Sequence, residues 1–165
     1  MTAEFHVRVS KDFLVFSAAH FITIGENICE RLHGHNYRVA AEVFGPLDQQ
    51  QCVIDFIALR DALQEIVRGL DHYVLLPTHH PQIRVAADEK NVTATFQDRH
   101  WSFPRGDCIL LPVSNTTAEK LAEYIGHQLL DDLERRGLPH PSRLRVEVDE
   151  CYGQIGVCEL TGDHR

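Results

Sequence analysis

The 165-residue sequence predicts an α+β domain, and three observations carry that prediction. Apolar and polar residues alternate in two segments before residue 45 and in two after residue 142, which is the period of half-buried strands. Between them, two longer segments repeat their apolar residues at helical spacing and carry helix start and stop residues. Apolar residues make up 44% of the chain and charged residues 24%, enough for a sizeable core and unlike the polar mix of a disordered chain.

Residues 5–19 place Phe5, Val7, Val9 and then Phe13 and Val15 in partial alternation, a strand with a bulge around Ser10 to Asp12 that ends close to His20. Residues 36–44 alternate Tyr37, Val39, Ala41 and Val43 with Arg38 and Glu42, and Gly45-Pro46 closes this second strand. Asp55 caps a helix whose apolar face is Phe56, Leu59, Leu63, Ile66, Val67 and Leu70. A second helix starts at Thr116-Thr117-Ala118-Glu119, read as a Thr-x-x-Glu capping box, and runs to Gly137-Leu138-Pro139. Residues 143–149 alternate again, Tyr152-Gly153 turns the chain, and Gln154 to Leu160 form a last strand. The order is β-β-α-α-β-β in a single domain spanning 1–165. Pro77 to Pro112 holds four of the seven prolines and the alternating VTATF and WSF runs, which predict an inserted hairpin with a polar turn.

Sixteen Lys plus Arg against twenty-four Asp plus Glu give a formal charge of −8, which argues against a nucleic-acid partner. No run of about twenty apolar residues predicts a membrane span. The first sixteen residues carry Glu4, Arg8, Lys11 and Asp12 and do not read as a signal peptide, so the expected setting is the cytoplasm. Five Cys without CxxC spacing fit free thiols there. Eleven His is the unusual number, and neutral imidazole is the commonest biological metal ligand.

The chemistry concentrates around Leu32-His33-Gly34-His35. Residues i and i+2 of an extended segment point to one face, so His33 and His35 can present their rings to one ion. His20, at the end of the partner strand, can complete a three-histidine set, which suits Zn²⁺ and leaves a fourth position open for catalysis. Cys29 lies on the intervening loop, either as a fourth ligand that closes the site or as a thiolate of lowered pKa beside a cation. Asp71 next to His72 can hold that ring in one tautomer for acid–base work. Glu150 is a carboxylate at a strand end.

Taken together, Phe16-Ser17-Ala18-Ala19-His20, Cys29-Glu30-Arg31-Leu32-His33-Gly34-His35-Asn36-Tyr37, Val53-Ile54-Asp55-Phe56, Leu70-Asp71-His72, Asn115-Thr116-Thr117-Ala118-Glu119 and Val148-Asp149-Glu150 resemble the 6-pyruvoyl-tetrahydropterin synthase family, including its 6-carboxy-tetrahydropterin branch. The resemblance covers residues 5–77 and 112–160. It implies a tunnelling fold (T-fold): an antiparallel sheet with both helices on one face, assembling through its edges into a β-barrel oligomer. A homohexamer, a dimer of trimers with active sites at subunit interfaces, is the implied assembly. It also implies zinc on His20, His33 and His35, a catalytic thiol at Cys29, a proton relay at Asp71 and His72, and a pterin grip at Glu150, with Thr117 lining the pterin site.

The four-residue step from Cys29 to His33 resembles the branch that converts 7,8-dihydroneopterin triphosphate to 6-carboxy-5,6,7,8-tetrahydropterin, releasing acetaldehyde and triphosphate, for deazaguanine (queuosine-type) synthesis. Glu30, three residues before His33, stands where a folate branch making 6-hydroxymethyl-dihydropterin uses Glu in place of the thiol. It either serves that role or faces solvent. The 78–112 insertion departs from the short family members, and Asn115-Thr116-Thr117-Ala118-Glu119 lacks their proline, which leaves Glu119 as a helix cap. A 6-pyruvoyl synthase and a non-catalytic pterin- or metal-binding paralogue complete the alternatives.

Overall fold

A computed structural model describes residues 3–162. Strand β1 (His6–His20) pairs antiparallel with β4 (His33–Phe44), and their register slips between Ser10 and Val15, where the sequence predicts a bulge. Between two paired positions β1 advances from Ser10 to Val15 while β4 retreats only from Ala40 to Arg38. The slip reverses parity along β1: Val9 is buried before it, and Leu14, Phe16, Ala18 and His20 after it. Side chains directly opposite on an antiparallel pair share a face, so Phe16 stands beside Tyr37, Ala18 beside His35 and His20 beside His33.

Helix α1 (Phe56–Leu70) starts at Asp55, whose carboxylate accepts from the backbone N–H groups of Ile57 and Ala58. Helix α2 (Ala118–Arg135) is capped by Thr117, whose hydroxyl accepts from Lys120 N–H. The capping-box reading is therefore displaced by one residue. Thr116 is fully buried with its hydroxyl donating to Phe21 O, and Glu119 sits in the first turn, where it complements the helix dipole rather than capping. Both helices pack on one face of the sheet over Leu59, Leu63, Val67, Leu121, Ile125, Leu129, Leu144 and Val146. On the other face Arg8 bridges Glu42 and Glu147 at 3.1 and 2.6 Å, and Arg145 pairs with Glu147 at 3.1 Å.

Strands β10 (Arg143–Asp149) and β11 (Ile155–Thr161) complete one side of the sheet, whose order is β11-β10-β4-β1-β5-β9. The expected all-antiparallel sheet is corrected here. Strand β5 (Tyr73–Pro77) runs parallel to β1, and β9 (Cys108–Leu111) parallel to β5, so the sheet is mixed. Helix α1 crosses the face and returns the chain on the far side of β1, in β1's own direction. Short apolar runs such as Tyr73-Val74-Leu75-Leu76 have no alternation to reveal them as strands.

The inserted segment is the crossover between β5 and β9. It is a three-stranded antiparallel sheet, not a single hairpin: β6 (Arg84–Ala87), β7 (Asn91–Phe96) and β8 (Arg99–Pro104). The β7–β8 pair is the predicted hairpin, and β6 adds to its edge. The insertion builds its own core from Ile83, Val92, Ala94 and Phe96 against Phe21, Leu76 and Cys108. A two-residue ribbon, β2 (Thr23–Ile24) with β3 (Ile28–Cys29), lies between β1 and β4. No helix among the described residues is long and apolar enough to cross a membrane.

Strand β11 reaches α2 at Gly156, where an added Cβ would lie 2.5 Å from Glu119 N and 2.6 Å from Ala118 C, both backbone atoms that cannot swing aside. Gly156→Ala is expected to cost about 1–3 kcal/mol, the range of an overpacked core. Gly69→Ala, in open space on α1, should raise stability by roughly 0.5–1 kcal/mol. Chemical denaturation of the two variants checks both signs.

Candidate metal centre and active site

His20, His33 and His35 meet at the end of the β1–β4 pair, on the helix-facing side. Their rings stand 4.8, 5.3 and 4.9 Å apart by centroid, and one nitrogen of each lies within 4.8 Å of the others. His20 Nδ1 is 2.9 Å from Thr116 O and His33 Nδ1 is 2.7 Å from Arg31 O. A carbonyl only accepts, so both Nδ1 atoms carry the proton and both Nε2 atoms are left unprotonated, each with a lone pair. This is the outer-shell arrangement that orients imidazole toward a metal, and the donor set fits a zinc ion with three protein ligands. Burial lowers the His20 pKa to about 4 despite the Thr116 carbonyl, and the two neighbouring histidines lower it further. The ring is therefore neutral, as a ligand must be. Gly34 between the two β4 histidines has a packing role, since a Cβ there would come within 3.0 Å of Ala18 O.

Glu150 is drawn to the same spot. Its Oε1 lies 3.4 Å from His20 Nε2 and 3.6 Å from His35 Nε2, and the Tyr37 hydroxyl donates to it at 3.4 Å. Tyr37 itself is fully buried, with its hydroxyl 3.0 Å from His20 Nε2, and burial raises its pKa, with Glu150 adding to the rise. Glu30 reaches the rim, its carboxylate 3.8 Å from His33 Nε2.

Cys29 does not join the histidine group. It sits half-buried on β3, where burial pushes the thiol pKa up, Arg99 pulls it down and Glu30 pushes it up again. The fourth-ligand role does not match this geometry, and without a cation the thiol lacks the lowered pKa expected for a thiolate.

Asp71 and His72 pair as anticipated, Asp71 Oδ2 lying 2.8 Å from His72 Nδ1. Asp71 also accepts from Ser17 N–H at 2.7 Å, and His72 N–H donates to Ser17 O at 2.6 Å. Partial burial pushes the Asp71 carboxyl up, but the Ser17 N–H and His72 outweigh it and hold the group below its usual range. His72 adopts φ 65°, and its side chain is 81% exposed, without a bond to the three histidines. The pair borders a surface depression of about 310 Å³ lined by Ser17, Ala18, Gly34, His35 and Asn36. A second concavity, about 690 Å³, lies at Phe5, Phe44, Arg143 and Thr161, away from these groups. Thr117 is next to Thr116, whose carbonyl orients His20, and its hydroxyl oxygen is committed to Lys120 N–H.

Sequence reasoning assigned no part in the site to Tyr37 or Arg99, and took Thr116 as a helix cap. Tyr37 was within reach, because it follows His33 and His35 at the same two-residue period. The other two had no local signal. Among the remaining histidines, His80 is structural: it bonds Thr23 Oγ1 at 2.7 Å and accepts from Gln82 and Ile83 N–H.

His33→Ala and His35→Ala are each expected to lower zinc affinity by more than about 100-fold, beyond the loss that follows removal of an outer-shell partner. Competition against a fluorescent zinc chelator measures it. His80→Ala should leave the affinity unchanged.

The family model for 6-pyruvoyl tetrahydropterin synthase matches residues 8–159. A relative from Methanocaldococcus jannaschii, provisionally assigned as a 6-carboxy-5,6,7,8-tetrahydropterin synthase, is 34% identical over 146 residues, 88% of each chain. The 6-carboxy-5,6,7,8-tetrahydropterin synthase of Haemophilus influenzae is 25% identical over 131 residues, 76% of this chain and 83% of that one. The crystal structure of 6-pyruvoyl tetrahydropterin synthase from Plasmodium vivax superposes with a TM-score of 0.89 at 27% identity, covering 98% of this chain and 100% of that one. A variant of that enzyme, with a catalytic glutamate replaced by alanine, superposes equally well at a TM-score of 0.89.

Proposed function

The chain belongs to the 6-pyruvoyl tetrahydropterin synthase family and is a lyase of that type, and from this premise we propose that it converts 7,8-dihydroneopterin triphosphate and one water to 6-carboxy-5,6,7,8-tetrahydropterin, with release of acetaldehyde and triphosphate. The observation that carries the reading is the set of three imidazoles, each with a ring nitrogen within 4.8 Å of the others and two with Nδ1 protons tied to carbonyls. Bound to His20, His33 and His35, zinc would supply Lewis acidity toward the hydroxyls of the substrate side chain.

The chain's own groups then divide the remaining work. Glu150 accepts hydrogen bonds from the amino group and ring N–H on one edge of the pterin, two donors matched to one carboxylate. Thr117 offers its hydroxyl proton beside that edge. Cys29 moves a proton at the side-chain carbon, and Asp71 holds His72 in one tautomer to move another on the opposite side. In a single chain His72 points outward, which supports a site shared between subunits and the homohexameric assembly. Edge strand β11, with Ile155 and Val157 exposed at 50% and 38%, offers a surface for such pairing. Five free cysteines suit a reducing, cytoplasmic setting, and the 6-carboxy product suits a deazaguanine (queuosine-type) route.

One observation favours a second reading. The Glu30 carboxylate, not the Cys29 thiol, reaches a metal-facing ring, and the similar Plasmodium vivax enzyme has a catalytic glutamate. With Glu30 as the proton carrier, the expected product is 6-hydroxymethyl-dihydropterin of the folate branch.

Incubation of zinc-loaded protein with 7,8-dihydroneopterin triphosphate, with products identified by mass spectrometry, separates these. Acetaldehyde that disappears in Cys29→Ala and persists in Glu30→Gln is the expected result. Full activity in Cys29→Ala, or 6-hydroxymethyl-dihydropterin lost in Glu30→Gln, transfers the role to Glu30. Glu150→Gln is expected to raise KM by about 10- to 100-fold, the loss of a hydrogen bond to a charged group, while zinc content stays at the wild-type level.

A further inference from the structure

The insertion reaches the β2–β3 ribbon beside the site through several side chains, His80 with Thr23 among them, and one pair lies at Cys29 itself. Arg99, the first residue of β8, donates from Nη1 to Cys29 O at 2.5 Å, and its guanidinium carbon lies 4.6 Å from the Trp101 ring centroid. Trp101 in turn stacks on Phe21 at 4.4 Å and 16°, and Phe21 is the residue next to His20. The β7–β8 turn adds a bond from Gln97 Nε2 to Asn27 Oδ1 at 3.3 Å. The β2–β3 ribbon that receives these contacts pairs Thr23 with Cys29 and Ile24 with Ile28, is extended by Glu30 N–H donating to Ile22 O at 2.9 Å, and leaves both isoleucines more than half exposed. A two-stranded ribbon of this length has little stability of its own.

We propose that Arg99 is the positioning residue for the Cys29–Glu30 corner: its guanidinium, held over the Trp101 ring, fixes the Cys29 carbonyl and so the direction in which the thiol and the adjacent carboxylate enter the site. The inference rests on the reading that Cys29 or Glu30 moves a proton at the substrate. Arginine suits the task because its plane stacks on an indole while its edge still donates, and a lysine ammonium does not do both. The same cation opposes the two influences that disfavour the thiolate, burial and Glu30. Arg99 and Glu30 are the charged groups that act on this thiol.

The test uses the full zinc-loaded chain as wild type, Arg99→Gln and Arg99→Lys, with circular dichroism to check folding. Amide hydrogen exchange over residues 27–30 and pH-dependent alkylation of the Cys29 peptide by iodoacetamide are both followed by mass spectrometry. In both variants exchange over 27–30 is expected to quicken about two- to tenfold, the loss of one net hydrogen bond. The alkylation midpoint should rise in Arg99→Gln and hold in Arg99→Lys, which keeps the charge. In turnover, kcat should fall with KM nearly unchanged, because Glu150 is untouched. Unaltered exchange and an unaltered midpoint in Arg99→Gln overturn the proposal. A wild-type protein that makes no product from 7,8-dihydroneopterin triphosphate would instead sink the proposed function, and exchange and alkylation still judge Arg99.

Discussion

Between Ser10 and Val15, β1 carries more residues than the partner strand opposite it, and that irregularity decides which way everything after it points. Up to Val9 the odd-numbered side chains face the helices; from Leu14 onward the even-numbered ones do. Had the strand continued without the slip, His20 would lie on the face occupied by the Arg8, Glu42 and Glu147 ion pairs. With it, His20 stands opposite His33 and on the same side as His35. A register shift reverses every later side chain because the pleat has a period of two. Gly34 then lets the two strands approach where a Cβ would press on Ala18 O.

The same geometry sets the electrostatics. His20 is 1% exposed, and its burial keeps the ring neutral while Thr116 O holds its proton at Nδ1. The Nε2 lone pair of His20 therefore faces a place where a cation is favoured, although the ring itself carries no charge. Negative charge is supplied next to the histidines by Glu150 and, at the rim, by Glu30. The net charge of −8 thus has local meaning: carboxylates gather where a divalent cation would balance them. The thiol of Cys29 lies just outside this balance, and its nearest positive charge comes from the insertion through Arg99.

The insertion is more closely integrated than its proline content suggests. It links two parallel strands that need a crossover, so its ends are fixed by β5 and β9 and its own small core is closed by Phe21 and Leu76. A segment anchored at both ends and packed on Phe21, next to His20, is well placed to brace a neighbouring ribbon. That placement also accounts for Trp101, whose ring would otherwise be an expensive apolar surface to leave in water.

Local pattern was enough for β1 with its bulge, β4, β10, β11 and both helices, because each has one wet and one dry face and the alternation records it. It was not enough for β5 and β9, short apolar runs without alternation, nor for the cap of α2, where Thr116 and Thr117 are chemically equal and the burial of Thr116 beneath Phe21 O selects the other. The two-residue strand period singled out His33 and His35 and the end of the partner strand His20, and the family resemblance gave Glu150 and the Asp71–His72 pair their expected roles. The sequence by itself therefore determined which residues alternate and which motifs are present. Only the tertiary structure decided that Glu150 and Tyr37 converge on the imidazoles, that His72 faces outward and that Arg99 holds Cys29. Those contacts join residues from 17 positions apart, Tyr37 with His20, to 130 positions apart, Glu150 with His20, and no local period encodes a distance across the sheet.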